Sequence, residues 1–258
     1  MSEQPEPVII TTSAEGSALF LDIDGTLLDL AAHPAAVTVD PELAHLLGAL
    51  YHLTAGAIAL ISGRMVANAD LLFAPLRFCV AGQHGAERRD FAGRMHLHTP
   101  PLHELARAAR RLRKLAAEHP GLVLEEKGMN IALHFRGAPS LEAELATFLA
   151  QMVSELGPDF ELQAGKMVLE IKPTGKDKGT AIEEFMQEHP FRGRTPIFIG
   201  DDLTDEYGFA LVNRLGGHSI KVGPGASVAR WRLADAAAVR DWLDRLAKVW
   251  QNRCGTPA

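Results

Sequence analysis

Asp22 and Asp24 stand two apart inside ALFLDIDGTLLDL (Ala18–Leu30), a stretch otherwise dominated by Leu, Ile and Phe. A carboxylate buried in such a run is costly unless something pairs with it or coordinates it. A second acidic cluster, GDDLTDE (200–206), follows the apolar IFI and adds Asp201, Asp202 and Asp205. Five carboxylates brought together are tolerable around a hard cation, and an all-oxygen ligand set selects Mg2+ over softer metals. Mg2+ takes few carboxylates directly, which leaves one free for other work. A free aspartate can attack a phosphoryl group and form an aspartyl-phosphate. The attack needs charge neutralised on the transferring group, a task suited to Lys178 and to the hydroxyl and backbone groups of Ser62 in Ser62-Gly63-Arg64. Of the two aspartates in the first stretch, one would be the nucleophile and the other the general acid, then the general base for water.

These residues need elements that deliver them to one place. SALFLDID reads as a strand that leaves through Gly25, and strand alternation puts residues two apart on the same side. As the strand opens into that turn, Asp24 can reach past Asp22. DPELAHLLGALYHL is predicted helical, with Asp40 as N-cap, Pro41 at the first position and Leu43, Leu46, Leu47 and Leu50 on one face. AIALIS is a second strand, MVANADLLF a helix, and FCVAGQHG a third strand. This alternation predicts an α/β fold with a parallel, doubly wound sheet, whose ligands bind beyond the carboxyl ends of the strands. Asp22, Asp24, Ser62 and His84 fall at such ends. After Pro100-Pro101 the pattern becomes helix, two strands (LVLEEKG, NIALHF), helix, two strands around Ala164-Gly165. Residues 101–172 are therefore expected to form an inserted α+β domain. Residues 1–100 and 173–258 would make the core, which resumes with KGTAIEEFMQEH, TPIFIGDD, HSIKVG and a C-terminal helix capped by Asp235.

The bulk composition narrows the classes. The chain has 258 residues, 47% hydrophobic and 22% charged, enough for a sizeable core in one large or two unequal domains. A net charge of −6 argues against nucleic acid or an anionic membrane as partner. The basic run RAARRLRK (107–114) is too short in so acidic a chain to argue otherwise. Cys79 and Cys254 are the only cysteines, so there is no disulfide framework and no Cys-based zinc spacing, which fits the cytoplasm. The leader MSEQPEPVIITTSAEGS lacks the pattern of a signal peptide, and no apolar stretch approaches the ~20 residues of a membrane span.

DIDGT, SGR, KG and GDDLTDE, in this order from Asp22 to Glu206, resemble the motif set of the haloacid dehalogenase (HAD) superfamily of aspartyl-phosphate phosphatases. The resemblance implies a Rossmann-like core with Asp22 as nucleophile, Asp24 as acid/base, and Ser62 and Lys178 on the phosphoryl oxygens. It implies Mg2+ held by Asp22, the main-chain carbonyl of Asp24, and Asp201, with Asp202 and Asp205 supporting. In this superfamily an insertion between SGR and KG is a cap that closes on the leaving group. AGQHGAE (81–87), EEKGMNIALHFR (125–136) and MVLEIKPTGKDKG (167–179) are further similar to the trehalose-6-phosphate phosphatases, so that the similarity runs from about Leu19 to Leu246.

That closer resemblance implies a small-molecule sugar phosphate as substrate. A disaccharide offers hydroxyls rather than charge, and Lys127, Asn130 and Glu170 have the groups to fork onto vicinal diols. His84 and Gly85 can meet the leaving side of the phosphate, and Gly63, Arg64, His134 and Arg136 complete the expected substrate-binding set. Plainer readings stand beside these. Arg64 can simply pair with a neighbouring acid, His134 and Glu170 can be exposed strand residues, Lys178 a surface lysine, and the acidic run a helix cap. Sucrose phosphate or mannosylglycerate phosphate are alternative substrates. An aspartate-phosphorylated signalling module shares the acids, hydroxyl and lysine but lacks the second acid and the insertion. A carbohydrate-binding protein with a decayed site would miss a motif residue, and none is missing.

Overall fold

The computed structural model describes residues 4–7, 12–29 and 38–254, with Cys254 by its backbone alone. Leu30, parts of the N-terminal leader and the Cys254 side chain lie outside the described residues. The chain divides into two compact units, residues 1–96 with 177–258, and residues 97–176.

The first unit is built on strands Ser17–Leu21 (β1), Ile58–Ile61 (β2), Cys79–Gly82 (β3), Glu87–Arg89 (β4) and Met95–Leu97 (β5), with helices Pro41–Leu53 (α1) and Val66–Phe73 (α2). After the second unit, its chain continues through Lys178–Met186 (α5), Thr195–Gly200 (β10), Glu206–Arg214 (α6), His218–Val222 (β11), Trp231–Leu233 (β12) and Ala236–Cys254 (α7). One eight-stranded sheet results, in the order β12-β11-β10-β1-β2-β3-β4-β5. From β12 to β3 all neighbours are parallel, and β4 runs antiparallel to β3.

Strand periodicity explains why β1 is apolar from Ala18 to Leu21. Leu19 and Leu21 pack into a core with side chains of α1, α2 and α7, while Ala18 and Phe20 point into a second core with those of α5 and α6. A strand covered on both faces has no polar side to show. α1 begins as its sequence predicts, with the Asp40 carboxylate accepting from the Leu43 N–H at 2.7 Å and Pro41 in the first turn. Asp235 likewise accepts from the Ala238 N–H at 2.9 Å.

The second unit contains Leu102–Glu118 (α3), Val123–Glu126 (β6), Ile131–His134 (β7), Glu142–Leu156 (α4), Phe160–Gly165 (β8) and Val168–Pro173 (β9). Its four strands form an antiparallel sheet in the order β6-β7-β9-β8. One face packs Ile131, Leu133, Leu169 and Ile171 against Leu105, Leu112, Leu145 and Leu149 of the two helices. By alternation the other face is polar: the register Glu125↔Ala132↔Glu170↔Gln163 forms one row across it. The β8–β9 turn lies later than Ala164-Gly165. Those residues still pair in the ladder, and the chain reverses at Lys166-Met167, with Met167 in the left-handed region at φ 62°.

Phe20 is fully buried and stacks on Phe191 at a centroid distance of 5.4 Å, with Phe185 at 6.2 Å. Phe20→Ala should cost about 3–5 kcal/mol of unfolding free energy in a denaturant titration. A loss under about 1 kcal/mol would show that the ring cluster behind the central strand is dispensable.

Candidate active site

The parallel register sets the site. Leu21 pairs with Ile199 on one side and Leu60 on the other, so β1, β10 and β2 end level with one another. The residues just beyond those ends are Asp22, Asp201 and Ser62. β1 stops at Leu21, and the Asp22 N–H donates to the Ile199 carbonyl at 3.0 Å. Asp24 lies in the turn that follows, with Gly25 at φ 84° and an isolated bridge from Asp24 to Leu28. The turn, rather than strand alternation, therefore places the two aspartates.

Lys178 opens α5, behind an Asp177 cap that accepts from the Thr180 N–H at 2.8 Å. Its ammonium donates to Asp22 Oδ1 and to Asp205 Oδ1, both at 2.7 Å, and all three side chains are buried. Asp205 Oδ2 accepts from the Asp202 N–H at 2.8 Å. Oxygens of Asp22, Asp201 and Asp205 lie within 4.8 Å of one another. Three of the five expected carboxylates thus converge: Asp24 is claimed by Arg64, and Asp202 is not among the three. The cluster carries more negative than positive charge. Burial, with Asp205 and Asp201 nearby, raises the Asp22 carboxyl well above its ordinary range, against the pull of Lys178. Burial, Asp205 and Asp202 push Asp201 up to about 6. Burial alone would lower the Lys178 ammonium, but Asp205 and Asp22 outweigh it and keep it charged.

The surplus anionic charge and the oxygen-only donors fit a hard divalent cation. Close backbone approach also shapes the cluster. A Cβ on Gly25 would stand 2.2 Å from Asp201 Oδ2, one on Gly200 2.3 Å from Asp205 Cγ, and one on Gly179 2.7 Å from the Tyr207 carbonyl.

Arg64 pairs with a neighbouring acid, as one of its sequence readings expects. Its Nε and terminal nitrogen donate to the two oxygens of Asp24, each at 2.6 Å, in a bidentate fork. Ser62 is buried, with its Oγ accepting from the Arg64 N–H at 3.1 Å and its carbonyl from the His84 N–H at 3.1 Å. His84 and Gly85 are buried in the 3-10 turn after β3, and a Cβ on Gly63 would stand 2.8 Å from His84 Nε2.

In the second unit, Lys127 Nζ and Asn130 Nδ2 donate to Glu170 Oε1 at 3.0 and 2.5 Å, and all three residues are buried. Among the described residues nothing donates to the Asn130 Oδ1. Glu170 is 4% exposed, so it is not the plain surface strand residue. His134 is half-buried and hydrogen-bonds Glu125 at 3.0 Å, which with nearby Lys127 holds the Glu125 carboxyl below its ordinary range. Arg136 is exposed just past β7.

Sequence reasoning passed over Lys221. It is buried on β11, paired in register with Gly200, and donates to the main-chain carbonyls of Asp201 and Val222. The signal was present as a lysine inside HSIKVG, an otherwise apolar strand end.

Comparison with known proteins places this geometry. Residues 20–237 match the profile of the trehalose-phosphatase family. The chain is 50% identical over 238 residues to a trehalose-6-phosphate phosphatase of Escherichia coli K12, covering 92% of this chain and 88% of that protein. It is 45% identical over 240 residues to a probable trehalose-phosphate phosphatase of Sinorhizobium fredii, covering 92% and 90%. A solved structure of a trehalose-6-phosphate phosphatase related protein superposes with a TM-score of 0.78 at 26% identity, covering 92% of this chain and 99% of that one. With the parallel sheet, the strand-end acids and these relatives, the chain belongs to the trehalose-phosphatase family.

Proposed function

We propose that the chain hydrolyses trehalose 6-phosphate to trehalose and phosphate, with Mg2+ as cofactor and an aspartyl-phosphate formed on Asp22. The observation that carries this reading is the buried Lys178 ammonium between Asp22 and Asp205, with Asp201 beside them. The substrate rests on the family and its relatives. Asp22, the main-chain carbonyl of Asp24, and Asp201 would hold the metal, with Asp202 and Asp205 supporting. When bound, Mg2+ supplies positive charge against the phosphoryl oxygens.

The chain's own residues do the rest. An Asp22 oxygen attacks phosphorus as the bond from phosphorus to the sugar oxygen breaks, and Asp24 gives its proton to that oxygen. Asp24 then takes a proton from water as the water attacks phosphorus, and Asp22 is released. Lys178 and Ser62 hold the phosphoryl oxygens, an arrangement that needs no reorganisation during transfer. Both Asp24 oxygens accept from Arg64, so the fork opens on one side whenever Asp24 passes a proton. His84 and Gly85 meet the leaving side of the phosphate. Residues 101–172 act as a cap, in which Lys127, Asn130 and Glu170 grip sugar hydroxyls, with His134 and Arg136 at the margin. The cysteine usage supports the cytoplasm as the place of the reaction. Among the described residues no helix is long and apolar enough to cross a membrane.

The deciding assay is phosphate release from trehalose 6-phosphate, glucose 6-phosphate, sucrose 6-phosphate and mannosylglycerate phosphate, with and without Mg2+. Trehalose 6-phosphate should lead, and chelation should abolish turnover. A lead for another sugar phosphate would replace the substrate, and full activity in chelator would remove the metal. Glu170→Ala should reduce kcat/KM for trehalose 6-phosphate by about 1–3 kcal/mol. Turnover of p-nitrophenyl phosphate should stay nearly unchanged, whereas equal damage to both substrates would take Glu170 out of sugar binding.

A pH prediction follows from Asp201. Its carboxyl sits at about 6 in the folded metal-free protein against an ordinary 3.8. Between those values the folded state holds a proton that the unfolded state has released, so this group's contribution to stability falls as pH rises and is fully lost above the folded value. Lys178 stays charged throughout and adds no slope. In chelator, the Tm of Asp201→Asn should therefore gain on that of the wild type as pH rises through about 6. A difference between the two proteins that does not change with pH would contradict the assignment.

A further inference from the structure

Among the buried carboxylates outside the cluster that the proposed chemistry uses, Glu87 lies beside the Ser62–Arg64 loop. Glu87, the first residue of β4, is 8% exposed. Its Oε1 accepts from the Val66 N–H at 2.8 Å and from Gln83 Nε2 at 3.0 Å. Val66 is the first residue of α2, the helix that follows Ser62-Gly63-Arg64. That helix has no side-chain cap from Met65 and no acid in its first turn. Glu87 therefore caps it from another strand, satisfying a donor that the helix cannot satisfy itself.

The second donor belongs to a strained segment. Gln83 and His84 both adopt the left-handed region, at φ 48° and 57°, which residues with a Cβ rarely take. The Gln83 N–H donates to the Arg64 carbonyl at 2.9 Å and the His84 N–H to that of Ser62 at 3.1 Å. The two loops thus lie against each other, backbone to backbone. A Cβ on Gly82 would stand 2.7 Å from the Arg64 carbonyl, 2.8 Å from the Val66 nitrogen and 2.9 Å from Glu87 Oε1. No side chain fits between the loops, and one carboxylate oxygen ties both.

We propose that Glu87 is a positioning residue for phosphate binding: its Oε1 fixes the Ser62–Arg64 loop against the Gln83–Gly85 turn and so sets where Ser62 meets the phosphoryl oxygens. It touches no reacting atom. The inference rests on the proposed phosphatase reading for Ser62, but not on the identity of the sugar. It assigns the effect to an acceptor at the right reach rather than to charge. Glutamine at position 87 can still present one oxygen to both donors, whereas aspartate keeps the charge but is one methylene short.

The test uses the full chain, with inorganic phosphate as the probe in saturating Mg2+ and Mg2+ alone as the control, both by calorimetry. Glu87→Ala and the milder Glu87→Asp should weaken phosphate binding about ten- to a hundredfold. Mg2+ affinity should be unchanged, because its proposed ligands follow β1 and β10 rather than the two loops that Glu87 ties. Glu87→Gln should stay within about threefold of wild type. Unchanged phosphate affinity in the short or truncated variants would overturn the proposal. So would parallel loss of Mg2+ affinity, which marks a general structural role, or equal damage in Glu87→Gln, which assigns the effect to charge. Wild-type protein that binds phosphate but does not cleave trehalose 6-phosphate would sink the substrate reading and leave this inference standing. Wild-type protein that binds no phosphate would sink both.

Discussion

Lys178 donates at 2.7 Å to Asp22 and to Asp205, carboxylates that lie 156 and 27 residues away along the chain. None of the three can be buried alone, because an uncompensated ion in a low dielectric costs several kcal/mol. Together they still carry surplus negative charge, and Asp201 adds to it. The chain folds around a centre that one ammonium cannot balance. The energetic strain appears as the raised Asp22 and Asp201 carboxyls, and a proton or a cation relieves it. A centre that gains stability when a cation arrives suits the proposed role of holding metal and phosphate together.

The sheet exists to bring these charges to one edge. β1 lies between β10 and β2 in parallel register, so three strand ends finish level and three polar residues follow them. Glycines allow the last approach: Gly25, Gly200 and Gly179 leave room for Asp201, Asp205 and the Tyr207 carbonyl where any Cβ would collide. The same device operates beside Ser62, where Gly82 and Gly63 let two loops meet. The second unit follows a different rule. Its sheet buries one face on two helices and turns a row of polar side chains the other way.

Much of this was legible in the sequence where a local rule applied. The apolar runs of β1, β2, β3, β10 and β11, the caps at Asp40 and Asp235, and the polar residues at the strand ends all follow from periodicity and position. What stayed hidden depends on partners far along the chain. β4 reads Glu-Arg-Arg, as a surface turn would, yet all three residues are buried. Arg88 is neutralised by Glu184 and Glu188, and Arg89 by Asp70 and the Phe78 carbonyl. The fork of Arg64 on Asp24 joins residues 40 apart, beyond the reach of any local pattern. Lys221 is hidden for the same reason, since one of its two carbonyl partners, that of Asp201, belongs to another strand end. β5 and β12, three residues each, are too short for any period to register.

The account's central claim is that the oxygen of Asp22 held by Lys178 belongs to the phosphoryl acceptor. The most direct measurement is rapid acid quenching after mixing the Mg2+-loaded protein with trehalose 6-phosphate carrying a radiolabelled phosphate, followed by peptide mapping. Label should appear on the peptide containing Asp22 before free phosphate accumulates, and should persist longer in Asp24→Asn, which lacks the base for hydrolysis. Free phosphate released with no protein-bound label at any time, or label on a different residue, would contradict the account.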